Sequence, residues 1–149
     1  MSAASPAALR ALVVEDDRSW QAILAELLQD AGLFVDVADS YATALPVLRA
    51  AAHRVAIVDL SLGGVDHHNR DGLRVLAALQ QHDPACTAVL LTGFATVEIA
   101  VSAMKEYGAY TSLRKETFRR SQFRALLREM LAEAGSQEVG GRIAIGRSE

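Results

Sequence analysis

Val55-Ala56-Ile57-Val58-Asp59-Leu60 is the stretch on which the fold turns. Four apolar residues, three of them β-branched, run straight into a carboxylate. A short unbroken apolar run of this kind reads as a strand buried on both faces, as in a parallel sheet. A buried, unpaired carboxylate is costly or takes up a proton, so Asp59 is expected where the strand emerges. In an open α/β sheet, ligands bind at the carboxyl ends of the strands. Asp59 is therefore the first candidate functional residue.

The same pattern recurs on either side. Leu9 to Val14 is an apolar run broken by Arg10 and ending in Glu15-Asp16-Asp17. Trp20, Ile23, Leu24, Leu27 and Leu28 then form one helical stripe, with Ser19 as its expected cap and Ala31-Gly32 as its stop. Leu33 to Ala38 reads as a second strand with a polar Asp36 inside it. A helix follows from about Tyr41 to Ala51, capped by Asp39 or Ser40, and Pro46 within it should cost about 3 kcal/mol or kink it. Beyond Asp59, Ser61 to Arg70 reads as a loop and Asp71-Gly72 opens a helix bearing Leu73, Leu76, Ala77 and Leu79, which Asp83-Pro84 ends. Ala88 to Leu91 is a fourth strand ending at Thr92-Gly93. Val97, Ala100, Val101 and Met104 give a fourth inward stripe, closed at Gly108. Ala109 to Leu113 is a short fifth strand ending near Arg114-Lys115. A last helix is expected from about Ser121 to Ala134, with Phe123, Leu126, Leu127 and Met130 inward. Strand and helix alternate five times, which implies a parallel α/β sheet with right-handed crossovers and helices on both faces.

Composition narrows the class. The chain has 149 residues, enough for one domain, with 51% hydrophobic and 22% charged residues, as in a soluble globular protein. A net charge of −3 argues against a general nucleic-acid binder. The lone Cys86 excludes an internal disulfide and points to a reducing, cytoplasmic setting and a buried inert thiol. No apolar stretch approaches a membrane span. Residues 1–8 read as a loose tail rather than a signal peptide, 9–134 as the folded domain, and 135–149, with four glycines, as a flexible tail.

Four strand ends carry polar groups: Glu15 and Asp16, Asp59, Thr92 and Lys115. In a parallel sheet these ends share one edge and converge. Carboxylates a few ångströms apart repel by about 4 kcal/mol per close pair at an effective dielectric near 20. A hard divalent cation relieves that repulsion, and an all-oxygen site with room for water suits Mg²⁺. Glu15, Asp16 and Asp59 are the expected metal ligands, with the Ser61 backbone carbonyl completing the set. Thr92 offers a hydroxyl and Lys115 an ammonium. The arrangement suits placing a phosphoryl group on Asp59, a reaction that needs chiefly positioning and charge neutralisation.

At these residues the chain resembles the response-regulator receiver domains over about Leu9 to Ala134. The likeness is carried by Leu12-Val13-Val14-Glu15-Asp16-Asp17, Ile57-Val58-Asp59-Leu60-Ser61-Leu62 and Leu90-Leu91-Thr92-Gly93-Phe94-Ala95. The family's acidic pair falls on Glu15 and Asp16, its phosphoacceptor on Asp59, its switch hydroxyl on Thr92 and its lysine on Lys115. The resemblance implies a flavodoxin-like doubly wound fold of strand order 2-1-3-4-5. It implies Mg²⁺, and a histidine kinase or phosphotransfer protein as phosphoryl donor. It also implies an output protein reached by altered contacts, and no enzymatic activity beyond self-phosphorylation and autodephosphorylation. A homodimer through the fourth helix, fifth strand and last helix is a further expectation, as is the absence of direct nucleic-acid binding.

The chain departs from the family pattern in named places. Gly63 stands where the family has proline, and several extra residues, including Asp66-His67-His68-Asn69-Arg70, precede Asp71-Gly72. Glu116 follows Lys115 in place of proline, and the family's cis peptide goes with that proline. Ser112 occupies the aromatic switch position three residues before the lysine. The spacing of Thr92 and Lys115 exceeds the family's by a single residue, near Tyr107. Side-chain alternation puts Tyr110 on the same face as Ser112, so Tyr110 or Tyr107 is expected to take over part of the switch.

Plainer readings compete. Asp59 could cap a turn, Glu15 and Asp16 could be a solvated turn, and Lys115 a surface charge. His67 and His68 with Asp66 and Asp71 could hold a transition metal, although adjacent loop histidines are usually solvated. Arg120, Arg124 and Arg128 make a basic stripe that either pairs with Glu129 or Glu133 or meets a partner. The whole chain could be a pseudo-receiver, a phosphorylation-independent binding or dimerisation module. A metal-dependent phosphatase of another α/β family is disfavoured, because no second catalytic Asp stands two residues beyond a strand-end nucleophile.

Overall fold

The apolar runs pair as five parallel strands: β1 (Arg10–Val14), β2 (Phe34–Ala38), β3 (Val55–Val58), β4 (Thr87–Thr92) and β5 (Thr111–Arg114). They alternate with α1 (Arg18–Asp30), α2 (Tyr41–Ala50), α3 (Asp71–His82), α4 (Val97–Lys105) and α5 (Arg120–Val139). The computed structural model describes residues 9–63, 69–93 and 96–139. The sheet order is β2-β1-β3-β4-β5, the flavodoxin-like doubly wound order that the resemblance implies.

Period-two alternation divides the strands between two cores. Leu12, Val14, Ala56, Val58 and Leu90 pack with α2, α3 and α4. Ala11, Val13, Val55, Ile57, Val89 and Leu91 pack with Leu24, Leu27 and Leu28 of α1 and Phe123, Leu127 and Met130 of α5. Both faces of β1, β3 and β4 are therefore covered, which is why those strands read as continuous apolar runs rather than alternating ones.

Several local expectations change. The cap of α1 is Asp17, whose Oδ1 accepts from the Trp20 amide at 3.0 Å, and Ser19 lies inside the helix. Ser40 caps α2, sharing a reciprocal pair of bonds with Thr43. The helix runs through Pro46 because Pro46 and Ala42 both face solvent, where water can serve the Ala42 carbonyl that Pro46 leaves without an amide. Asp36 is tolerated in β2 because Arg10 lies 3.2 Å and the buried His53 ring 2.8 Å from its carboxylate. On α3, Val75 and Ala78 are buried with Leu76 and Leu79, whereas Ala77 is exposed.

Helix α4 reverses the expected stripe. Ala103 is buried and Ile99 packs on the core, whereas Val97, Val101 and Met104 are 77%, 39% and 40% exposed. The helix is apolar on most sides, so periodicity could not choose its inner face. Strand β5 starts at Thr111, two residues later than read. Helix α5 continues past Ala134 and Gly135 to Val139. Regular helical bonding overrides glycine's cost of about 1 kcal/mol there.

Gly72 brings α3 onto the exit of β3. A β-carbon on Gly72 would overlap the Asp59 carbonyl oxygen and lie 2.6 Å from Leu60 Cα. The Gly72 amide instead bonds the Leu60 carbonyl at 2.8 Å. Only a residue without a side chain permits this approach.

Candidate functional site

The sheet edge forms as each chain segment leaves its strand. The Glu15 amide bonds Ala38 O at 3.0 Å and the Asp59 amide bonds Val14 O at 2.9 Å, so both carboxylates are held one step beyond the ladder. Glu15 is 1% and Asp59 6% exposed. Asp59 does stand at the end of its strand, but it is more deeply buried than an emerging residue needs to be. Its charge is balanced by Lys115, which begins a 3-10 turn, Lys115–Thr117, after β5. The Lys115 ammonium lies 2.9 Å from Glu15 Oε1 and 3.4 Å from Asp59 Oδ2. Glu15 Oε2 also accepts from the Asp17 amide at 3.1 Å.

Glu15, Asp16 and Asp59 each bring a carboxylate oxygen within 4.8 Å of the others. Burial, then the neighbouring Asp59 charge, pushes Glu15 up to about 7 against the opposing pull of Lys115 and the Asp17 amide. Burial also raises Asp59, with Asp16 adding to the effect and Lys115 opposing it. Burial disfavours the Lys115 ammonium, but its partners Glu15 and Asp59 outweigh that and its pKa rises. Two buried carboxylates held against their own repulsion, with a third at the rim, fit a hard divalent cation.

Thr92 ends β4 and is buried. The register sets Val58 opposite Leu90, so Thr92 lies on the strand beside the exit that Asp59 takes. Ser61, half-buried, follows Asp59 by two residues. All five side chains singled out from the sequence thus lie at one sheet edge.

Other expectations divide. No cis peptide bond occurs among the described residues, Lys115–Glu116 included. Tyr110 does not share the face of Ser112. It packs with the α1/α5 core, and its hydroxyl donates to Glu129 Oε2 at 2.5 Å. Tyr110 precedes β5, so strand alternation does not govern it. Tyr107 packs on the opposite core. Arg120 pairs with Glu26 of α1 at 3.4 Å rather than with Glu129. The Glu133 side chain lies outside the described residues, as do Phe94, Ala95, Asp66, His67 and His68. Asp71 of that last group pairs with Arg74 at 3.3 Å. Cys86 is a free thiol that burial pushes upward, in keeping with an inert group.

Three contributors were missed. Asn69 Oδ1 accepts from the Leu62 amide at 3.0 Å and the Asp71 amide at 2.9 Å, clasping the two ends of the loop after Asp59. Its place two residues before Asp71 was a readable Asx-turn signal at the helix entry. Trp20 and Phe118 meet edge to face at 5.0 Å, and the Lys115 ammonium lies 5.3 Å from the Trp20 ring centroid. No sequence spacing marks that contact, which joins the start of α1 to the turn after β5.

A family model described as the response regulator receiver domain matches residues 11–128. The chain is 30% identical to the response regulator protein FleR of Pseudomonas aeruginosa over 93% of its own length and 28% of FleR's. It is similar, at 29% identity and a TM-score of 0.69, to a Burkholderia pseudomallei response regulator solved with a phosphorylated aspartic acid, calcium ion and citrate. That match covers 87% of this chain and 72% of the other. The beryllofluoride-activated NtrC4 receiver domain dimer matches at 26% identity and a TM-score of 0.73, over 84% of this chain and 98% of the other.

Proposed function

This chain belongs to the response regulator receiver domain family of two-component signalling, and on that premise we propose that it is a phosphorylation-dependent switch whose phosphoacceptor is Asp59. The observation that carries the reading is the Lys115 ammonium set between the buried carboxylates of Glu15 and Asp59. A carboxylate oxygen of Asp59 attacks the phosphorus of a phosphohistidine on a kinase or phosphotransfer protein. The P–O bond forms as the P–N bond breaks, and the electron pair returns to the imidazole. Lys115 neutralises a phosphoryl oxygen, and Thr92 offers its hydroxyl to another.

Glu15, Asp16 and Asp59, with the Ser61 carbonyl, would hold Mg²⁺, which when bound neutralises charge on the phosphoryl group. Water later hydrolyses the acyl phosphate, and no other reaction is assigned to the chain. The protein works in the cytoplasm, where such kinases present their phosphohistidine. No described helix is long and apolar enough to cross a membrane. Residues 9–134 act as the receiver unit, and α5 runs beyond them to Val139.

Output proceeds through altered protein contacts, without direct nucleic-acid binding. The exposed Val97, Val101 and Met104 of α4 support a homodimer through α4, β5 and α5, and the NtrC4 neighbour is itself described as a dimer. A pseudo-receiver reading draws on Ser112 and Glu116, but it leaves the convergence of Glu15, Asp59 and Lys115 without a use.

Incubation with acetyl phosphate and Mg²⁺ tests the proposal. Mass spectrometry should show one added phosphoryl group, absent in Asp59→Asn. Labelling that survives Asp59→Asn, or an unlabelled wild-type chain, sinks the assignment.

A further inference from the structure

The lysine of the site sits just outside the sheet. Lys115 is not part of β5: the strand ends at Arg114, and the 3-10 turn Lys115–Thr117 carries the lysine away from the ladder. Within that turn the Phe118 amide bonds the Lys115 carbonyl at 3.2 Å, and the Thr117 hydroxyl donates to the Arg114 carbonyl at a long 3.4 Å. Short 3-10 turns are weakly held, so an ammonium on a long flexible stem needs a further constraint to reach two carboxylates reproducibly.

The first turn of α1 supplies one. Trp20 is packed edge to face on Phe118 at 5.0 Å, and Phe118 lies against the buried Phe123 at 5.4 Å. These three rings tie α1 to the turn and to the first residues of α5. The Trp20 ring presents its π-face region to Lys115, with the ammonium 5.3 Å from the centroid. A cation near an indole ring is attracted by the ring quadrupole, more strongly where water is partly excluded, as it is around the half-buried Lys115. The same ammonium lies 2.9 Å from Glu15 Oε1 and 3.4 Å from Asp59 Oδ2.

We propose that Trp20 is a positioning residue for Lys115, holding its ammonium between the indole and the Glu15/Asp59 pair so that it is ready for the incoming phosphoryl oxygens. The assignment deepens the phosphoacceptor reading and rests on it for its consequence, but its geometry can be tested without phosphoryl transfer. Trp20 touches no reacting atom. It acts through the lysine.

Trp20→Phe keeps an aromatic face, whereas Trp20→Leu keeps apolar packing and loses the π-system. A structural role for Trp20 would be served by either variant. Positioning is served only by Phe. Trp20→Leu should therefore slow phosphorylation by acetyl phosphate and Mg²⁺ roughly three- to tenfold, the range a cation–π contact supports, while Trp20→Phe stays near wild type.

A second measurement needs no phosphoryl donor. The chain has two lysines, Lys105 and Lys115, so lysine-labelled protein gives two sets of side-chain NMR signals, assigned by Lys115→Met. The Lys115 Hε protons should carry a ring-current shift that survives in Trp20→Phe and vanishes in Trp20→Leu. Equal phosphorylation rates in the Leu and Phe variants overturn the proposal, and so does a Lys115 signal indifferent to Trp20→Leu. If the wild-type chain takes no phosphoryl group while the ring-current pattern holds, the phosphoacceptor reading falls and the positioning of Lys115 stands.

Discussion

The ammonium of Lys115 stands 2.9 Å from Oε1 of Glu15. The pairing is close, yet it does not restore Glu15 to its ordinary acidity, because burial and the Asp59 charge outweigh it and leave Glu15 near pH 7. The folded chain thus keeps a proton on Glu15 that the unfolded chain has lost above about pH 4.5.

The stability of the metal-free protein should carry that signature. Between pH 4.5 and about 7 the folded state binds the extra proton, so the Glu15 contribution falls as pH rises and levels off above pH 7. The slope has an upper limit of about 1.4 kcal/mol per pH unit for one proton. Urea midpoints of wild type and Glu15→Gln, taken from pH 5 to 8, should diverge in favour of the variant as pH rises. Millimolar Mg²⁺ at pH 8 should narrow the gap by stabilising wild type. Parallel curves would mean that Glu15 titrates normally.

Lys115→Ala and Thr92→Ala should separate two roles. Losing the lysine removes a charge-assisted partner of the phosphoryl oxygens, about 1.5–3 kcal/mol, and should weaken the phosphorylated state on the order of 10- to 100-fold. Thr92→Ala should leave phosphorylation largely intact while uncoupling the response of α4, β5 and α5. Hydrogen exchange with and without beryllofluoride measures both. Strong protection in the Thr92→Ala variant across residues 96–114 would contradict the division.

Gly72→Ala should destabilise the fold even though the change adds one methyl group. The new β-carbon meets backbone at Asp59 and Leu60, which cannot swing aside as a side chain can. Overpacking of this kind costs about 1–3 kcal/mol. Because the strain falls on the Asp59 exit, phosphorylation should slow in parallel. A shift in the urea midpoint within error of zero would show that α3 can move away.

Val101→Glu should leave the monomer intact and remove self-association. Val101 is 39% exposed, so the substitution should change monomer stability by no more than about 0.5 kcal/mol. Sedimentation velocity on the beryllofluoride-treated protein should show a dimer for wild type and a monomer for the variant. A dimer that persists would place self-association on another face.

Some of this protein could be read from local pattern alone. The apolar runs ending at Glu15, Asp59 and Thr92 announce parallel strands, because a strand covered on both faces has no polar side to alternate with. Once the strands are parallel, their carboxyl ends must share an edge, so the meeting of Glu15, Asp59, Thr92 and Lys115 followed without coordinates. The parts that required the tertiary structure are those in which a residue's surroundings come from distant segments. The outward turn of Val97, Val101 and Met104 depends on which side of an all-round apolar helix lies nearer the sheet. The swing of Tyr110 toward Glu129 depends on where β5 begins and on what α5 offers nearby. The rise in the Glu15 pKa depends on burial and on Asp59, against the pull of Lys115, and these two partners lie 44 and 100 positions along the chain. Periodicity records only which residues share a face of their own element. The packing of one element on another decides what that face meets.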